Sequence, residues 1–324
     1  MKKTVKFGVR FKRVISTCFP DSEDVYLSGE RYRRVYWPII REVAQECDRL
    51  GFDSVILPDH VMIGPQVFTA WSTLSALAAV TKRVTLGTLA LNSMRYVPCP
   101  SLFAKEVATL DNISDGRLYP LGLGAGYNVG EYAAYGFEFP SFKTRLEQLE
   151  ETIEIMKRMY TEDKATFKGK HFNINNARCD PKPIQKPFPI CIGGRGNKIL
   201  RLASKYSDHI DIGMKDKKTL QEKLDWVKKC CTEFGRNFDD ITISGGCDFW
   251  IYENQRELDL YEKEFKRVAG RRGANIVKGT PDEIISLFED RMKMGINYFT
   301  MRWEDLPGKR ALRLFAEKVM PHFR

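Results

Sequence analysis

The sequence predicts an α/β protein, a (β/α)8 TIM barrel with an insertion after the fourth helix. Short β-branched runs alternate with longer helical patterns along the 324-residue chain. Eight strand-like runs are each followed by helix, which matches a closed parallel barrel. No glycine-rich turn follows the first run, as the rival open doubly wound sheet would require. Length at roughly 150 residues per domain leaves two domains open, but α/β barrels of this size are routinely one. Residues 1–324 are therefore read as one barrel domain carrying an insertion at about 161–187.

Residues 5–9 read as the first strand and 37–50 as its helix, in which Ile39, Ile40, Val43 and Cys47 recur at helical spacing. Residues 54–57 form the second strand, stopped at Pro58, and 71–81 the second helix. Strand 84–91 with helix 100–113 makes the third unit. Strand 118–124 with helix 142–160 makes the fourth, with Leu146, Leu149, Ile153 and Met156 on one side. The rhythm then breaks: residues 166–172 look like a small hairpin, and Pro181, Pro183, Pro187 and Pro189 like extended loop. Runs 189–192, 209–213, 241–251 and 296–302 supply strands five to eight, and Gly245-Gly246 predicts a bend in the seventh. Helices are expected at 199–206, 220–234, 256–268, 281–294 and 311–319.

Hydrophobic residues at 43% and charged residues at 29% exclude a disordered polymer or a disulfide miniprotein. No run approaches the roughly 20 apolar residues a bilayer needs, and Met1-Lys2-Lys3-Thr4 leads into no signal-peptide core. A cytoplasmic protein without a membrane partner is expected. The 8 cysteines show no CxxC and no metal-spaced cluster with histidine, so neither a metal nor a disulfide framework is expected. Lys plus Arg at 52 against Asp plus Glu at 42 leaves +10, which favours an anionic partner such as a phosphate, a nucleic acid or a polyacidic cofactor. The basic residues are dispersed, with short clusters at Arg31, Arg33, Arg34 and at Arg271-Arg272, and nucleic-acid signatures are lacking. No nucleic acid is expected.

In a barrel the carboxyl ends of the strands converge on one mouth. Asp59-His60, after the second strand, is the first candidate pair there, since imidazole titrates near neutrality; the plainer reading makes Asp59 a turn cap. The third strand ends in Thr88, Leu89 and Asn92, and the fourth runs into Gly122, Gly124 and Gly126. Glycines there let a flat ring or a phosphate approach the backbone, or simply make a tight turn. Gly193-Gly194-Arg195 leads directly into a helix, offering amides, the positive dipole end and a counter-charge to an anion. Glu147, Glu150, Glu151 and Glu154 on one helix face, and His171 in the hairpin, read as solvent-exposed; Trp37 and Trp226 read as core.

An ordered set of segments runs through residues 51–54, 58–60, 71–81 and 83–88, then Arg95-Tyr96, Thr109-Leu110-Asp111, residues 122–127, Pro181-Lys182-Pro183 and Ile192-Gly193-Gly194. In this set the chain resembles the bacterial luciferase-like superfamily, and within it the F420-dependent oxidoreductases that include methylenetetrahydromethanopterin reductase-like proteins. The resemblance implies an eight-stranded barrel, usually a homodimer, holding coenzyme F420 or, alternatively, FMN at the mouth. It implies catalytic roles for His60 and Asp59 beside the ring. It implies a non-proline cis peptide near Thr88-Leu89 behind the ring, with Asn92 close by. Cofactor contacts are further implied at Gly124, Gly126, Asn128 and Glu131, and a phosphate loop at Gly193, Gly194 and Arg195, whose main-chain amides hold the negative end. Three departures stand out: Tyr127 replaces a frequent Trp, Tyr96-Val97-Pro98-Cys99 replaces an Arg-His-Pro-Ala-like stretch, and Ser207-Asp208-His209-Ile210 replaces Ala-Asp-Gly-Trp. The implied function is hydride transfer between deazaflavin and a small organic substrate. The alternatives are an FMN-dependent monooxygenase and a non-catalytic flavin- or deazaflavin-binding protein.

Overall fold

Alternation places Phe7 and Val9 of β1 (Lys6–Arg10) in the outer core, while Gly8 faces Ser54 and Tyr298 inside the barrel. The computed structural model describes residues 4–11, 37–62, 68–214, 216–259, 262, 276–303, 306 and 308–324. After β1 come α1 (Trp37–Leu50), β2 (Ser54–Leu57), α2 (Ala70–Val80), β3 (Thr85–Leu91), α3 (Pro100–Ile113) and β4 (Leu118–Leu123). A short α4 (Val129–Ala134) precedes α5 (Phe142–Thr161) and the antiparallel pair β5 (Ala165–Lys168) and β6 (Asn173–Ala177). Then follow β7 (Cys191–Gly193), α6 (Asn197–Tyr206), β8 (His209–Asp211), α7 (Lys217–Glu233), β9 (Thr242–Ile251), β10 (Ile276–Gly279), α8 (Pro281–Lys293), β11 (Tyr298–Trp303) and α9 (Arg310–Lys318).

Eight parallel strands close in the order β1-β2-β3-β4-β7-β8-β9-β11, with Lys6 opposite Tyr298 sealing the ring. The fold is the (β/α)8 barrel the alternation predicts. Local chemistry sets several helix starts: Ser141 accepts from the Thr144 amide at α5, and Asp216 from the Thr219 amide at α7. At α8 Thr280 and Glu283 form a reciprocal capping box. The outer core is aromatic where β1, β9 and β11 meet α8 and α9. Phe288 stacks on Phe299 at 4.1 Å, and Trp303 meets Phe249 edge-on at 4.8 Å.

The barrel interior differs from the usual layers of branched aliphatics. Its apolar part is the cluster Ile56, Leu89 and Cys191 of β2, β3 and β7, and the buried polar side chains Ser54, His209, Ser244 and Thr300 lie on β2, β8, β9 and β11. His209 is wholly buried beside Tyr119 and Tyr298, at ring distances of 5.5 and 5.3 Å, and neither ring nitrogen has a partner among the described residues. Burial holds its pKa down to about 4, so the ring is neutral at neutral pH. A cavity of about 350 Å³ lined by Lys6, Asp53, Arg83, Tyr119, Tyr298 and Arg324 opens at the amino ends of the strands, away from the mouth.

Two expectations change. Gly245-Gly246 does not interrupt the strand; β9 keeps an unbroken register through both, and a Cβ at Gly246 would collide with the Arg10 guanidinium. The acidic face of α5 is not simply solvated. Glu151 accepts from the amides of Lys170, His171 and Phe172, Glu147 holds Lys170 and His171, and Glu150 holds Lys205 and Tyr206. β10, absent from the sequence reading, pairs with the outer end of β9, and α4 is too short for its period to register. The helix expected at 256–268 lies largely outside the described residues.

Candidate active site at the strand carboxyl ends

The third strand carries the organising feature of the mouth. Its pairing with β4 slips between Leu86 and Thr88 and again between Thr88 and Leu91, and the Leu89-Ala90 peptide is cis. The cis bond falls one residue beyond the Thr88-Leu89 pair named by the resemblance. Special residues of neighbouring strands converge on this bulge. A Cβ at Gly122 would lie 2.7 Å from Leu89 Cδ2, one at Gly124 3.3 Å from the Ala90 methyl, and one at Gly193 3.1 Å from that same methyl. The glycines therefore make room for the protein's own β3 segment. Gly126, at φ +75°, is the one whose conformation itself favours glycine.

His60 stands at the end of β2 with its Nδ1 2.9 Å from Glu131 Oε2 and its Nε2 3.1 Å from the Tyr127 hydroxyl. The other Glu131 oxygen accepts from the amides of Val61 and Met62 at 2.9 and 3.1 Å. Burial works to raise the pKa of Glu131, yet the bonds from His60, Met62 and Val61 outweigh it and hold the carboxyl below its ordinary range. An ionised carboxylate only accepts, so Nδ1 carries the hydrogen and Nε2 meets the Tyr127 hydroxyl. Glu131 reaches this position from the first turn of α4 and is wholly buried.

Asp59 faces the exit of β3. Its Oδ2 accepts from the Asn92 amide at 2.9 Å and its Oδ1 pairs with Arg95 at 3.3 Å, so it ties the end of β2 to the exit of β3. The Tyr132 hydroxyl binds both Asn92 Oδ1 and Ser93 Oγ. The departure at Tyr96 is scaffolding: its hydroxyl donates to Gly124 O at 2.8 Å, while Arg145 donates to Ala125 O at 2.8 Å. Thr88 donates to Gly122 O at 3.3 Å.

At the end of β7 the Gly194 amide is directed to Asp211 O at 3.4 Å, within the barrel wall. The donors open to an anion are therefore those that begin α6, where Gly196 is the cap residue and no side chain caps. A Cβ at Gly196 would meet nothing within 4 Å, so the approach to this end is clear. Arg195 is exposed beside it and makes no ion pair among the described residues. Asn128 begins α4, its carbonyl accepting from the Glu131 amide at 3.1 Å.

The expected residues thus line adjoining stretches of one mouth: His60, Glu131, Asp59, Asn92, Gly124, Gly126 and Asn128 on the β2–β4 side, and Gly193, Gly194 and Arg195 next to them at the end of β7. Thr88 and Leu89 belong to β3, within the first stretch. Sequence reasoning passed over Arg10, Asp211 and Arg302, whose signal was a charged residue at or near the end of a barrel strand. It also passed over the bond between Tyr127 and His60, which spans 67 positions and leaves no local trace. Among the described residues no helix is long and apolar enough to cross a membrane, and no group of three His, Cys, Asp or Glu residues could hold a metal.

Comparison with known proteins gives the same mouth a context. The family described as luciferase-like monooxygenase matches residues 27–265. An F420-dependent glucose-6-phosphate dehydrogenase of Intrasporangium calvum is 34% identical over 86% of this chain and 92% of its own. Among solved structures, an F420-dependent secondary alcohol dehydrogenase with an F420-acetone adduct superposes with a TM-score of 0.78 at 21% identity, over 99% of this chain and 100% of its own. An EDTA monooxygenase from Chelativorans sp. BNC1 superposes with a TM-score of 0.80 at 16% identity, over 99% of this chain and 93% of its own.

Proposed function

Because the chain belongs to the luciferase-like monooxygenase family, we propose that it is a coenzyme F420-dependent oxidoreductase, transferring a hydride between the deazaflavin and a small organic substrate. The buried Glu131-His60 pair carries this reading. A protein that only stored the cofactor would have no use for an imidazole fixed by a buried carboxylate and presenting its second nitrogen to the mouth. The relatives named for F420 support deazaflavin over FMN.

The residues present fit such a group. The uncapped start of α6, the clear space at Gly196 and the exposed Arg195 suit its anionic tail. The Leu89-Ala90 segment, packed from behind by Gly122, Gly124 and Gly193, makes a firm wall for its ring. The cofactor supplies the hydride chemistry when bound. Glu131 keeps the His60 hydrogen on Nδ1, so that Nε2, directly or through the Tyr127 hydroxyl bonded to it, takes a proton from, or returns one to, the substrate oxygen. Asp59 and Asn92 hold the β3 exit in register with His60.

Replacing His60→Ala tests this. Turnover with F420 falls by about 10²–10⁴-fold, while F420 binding, followed by fluorescence titration, stays within about twofold of wild type. Full turnover in that variant removes the role. The family description also supports a second reading, an FMN-dependent monooxygenase. Bound FMN with oxygen-dependent turnover is the outcome that establishes it.

A further inference from the structure

Arg10 crosses the barrel interior from β1 and is largely buried. Its Nη2 donates to Leu89 O at 2.9 Å, the carbonyl of the β3 bulge, and its Nη1 lies 3.5 Å from Thr300 Oγ1 and 3.6 Å from Asp211 Oδ2. β9 carries Gly246 at the one place where a side chain would displace the guanidinium. Asp211 is a partial counter-charge, because its Oδ1 is already taken by Ser244 at 3.0 Å. The neighbouring Arg302 is occupied by Asp248 in a two-bond pair at 2.6 and 3.1 Å. Burial has the largest effect on Arg10 and lowers its proton affinity; Asp211 opposes that, and the charges of Arg302 and Arg195 add to it. Five strands thus keep a positive charge inside the barrel in direct contact with the β3 carbonyl.

We propose that Arg10 is a positioning residue for the cofactor: it fixes the Leu89 carbonyl in the wall against the ring and sets a positive charge behind that wall, favouring an anionic ring. A structural strut alone would account for the bond to Leu89. It would not account for the use of a buried cation, given what a charge costs in such a place. The proposal rests on the reading that a deazaflavin or flavin ring lies against Leu89-Ala90.

The test uses the full-length protein with F420, in wild type, Arg10→Met and Arg10→Lys. Two quantities are read: affinity by fluorescence titration, and the pH at which the absorbance of the bound ring changes as its hydroxyl ionises. In Arg10→Met affinity falls about tenfold and the ionisation moves up by about one pH unit. Arg10→Lys brings the ionisation back towards wild type and recovers affinity only in part, since an ammonium keeps the charge without the fork. An unmoved ionisation in Arg10→Met overturns the proposal, whatever happens to affinity. Should Arg10→Met fail to fold, the double variant Arg10→Met/Asp211→Asn, which removes the stranded carboxylate as well, is read in its place. If wild type takes up FMN and not F420, the deazaflavin reading fails, and the N3 ionisation of bound FMN decides the role of Arg10. If it takes up neither, both readings fall.

Discussion

A carboxylate as deeply buried as Glu131 survives only where donors surround it, and here three do: the His60 ring and two successive amides. The consequence for acid stability has a definite sign. Its folded pKa is depressed, so its contribution is complete above the ordinary glutamate pKa of about 4.3 and is lost as pH falls through the lower folded value. Glu131→Gln should therefore flatten the fall in melting temperature between about pH 5 and 3 seen in wild type. It should also lower turnover by about tenfold or more while leaving the backbone at Val61 in place. Scanning calorimetry across that range checks the first, and steady-state rates the second. Asp59-His60 was visible in the sequence as a polar pair after a strand. The choice of Glu131 over Asp59 as the partner of the imidazole was not, because that contact joins positions 71 apart and depends on how α4 turns back over the mouth.

Strand β3 is best understood together with the elements that surround it. Its slipped register would leave a ridge at Leu89-Ala90, and β4 and β7 meet that ridge with glycines, each by losing a side chain where the ridge advances. Gly87 shows the same logic one turn of the pleat earlier. A Cβ there would lie 2.6 Å from Pro120 N and 2.7 Å from Pro120 Cδ, against main chain that cannot swing aside. Gly87→Ala should destabilise the protein by about 1–3 kcal/mol, read as a lower urea midpoint. The sequence marked these positions as unusual and offered two explanations, ligand approach or tight turn. It lacked the register, and only the register reveals that the third strand is what the glycines accommodate. The same holds for Gly245-Gly246: a glycine pair in a strand signals a bend or a close approach, and here the approaching group is a guanidinium from a strand some 236 positions earlier in the chain.

The whole barrel was legible because it is repetitive: each βα unit writes its own period, and eight units in a row identify the class even when single boundaries move by a residue or two. Its interior was not legible, since inward-facing positions alternate with outward ones along each strand and are filled here by polar groups of many kinds. One of them governs the acid response of the fold. His209 is neutral and buried with a folded pKa of about 4, against about 6.5 when unfolded. The unfolded chain therefore binds a proton that the native barrel refuses. Stability is complete above about pH 6.5 and drains away towards pH 4, by an amount on the order of 3 kcal/mol. His209→Leu should remove most of that slope between pH 7 and 5, in a range where Glu131 does not yet contribute. Chemical denaturation at both pH values measures it; an unchanged slope means that another group carries the response.

Strand β9 divides its neighbours along its length. Residues 242–244 pair with β8, 244–249 with β11 and 248–251 with β10. Closing the cylinder and raising its lip on one side consequently share only Asp248 and Phe249. Trp250 and Ile251 pair with β10 alone, so a change in that pairing unfastens none of the eight staves. Selection for a new cargo therefore has a place to work that leaves the vessel watertight.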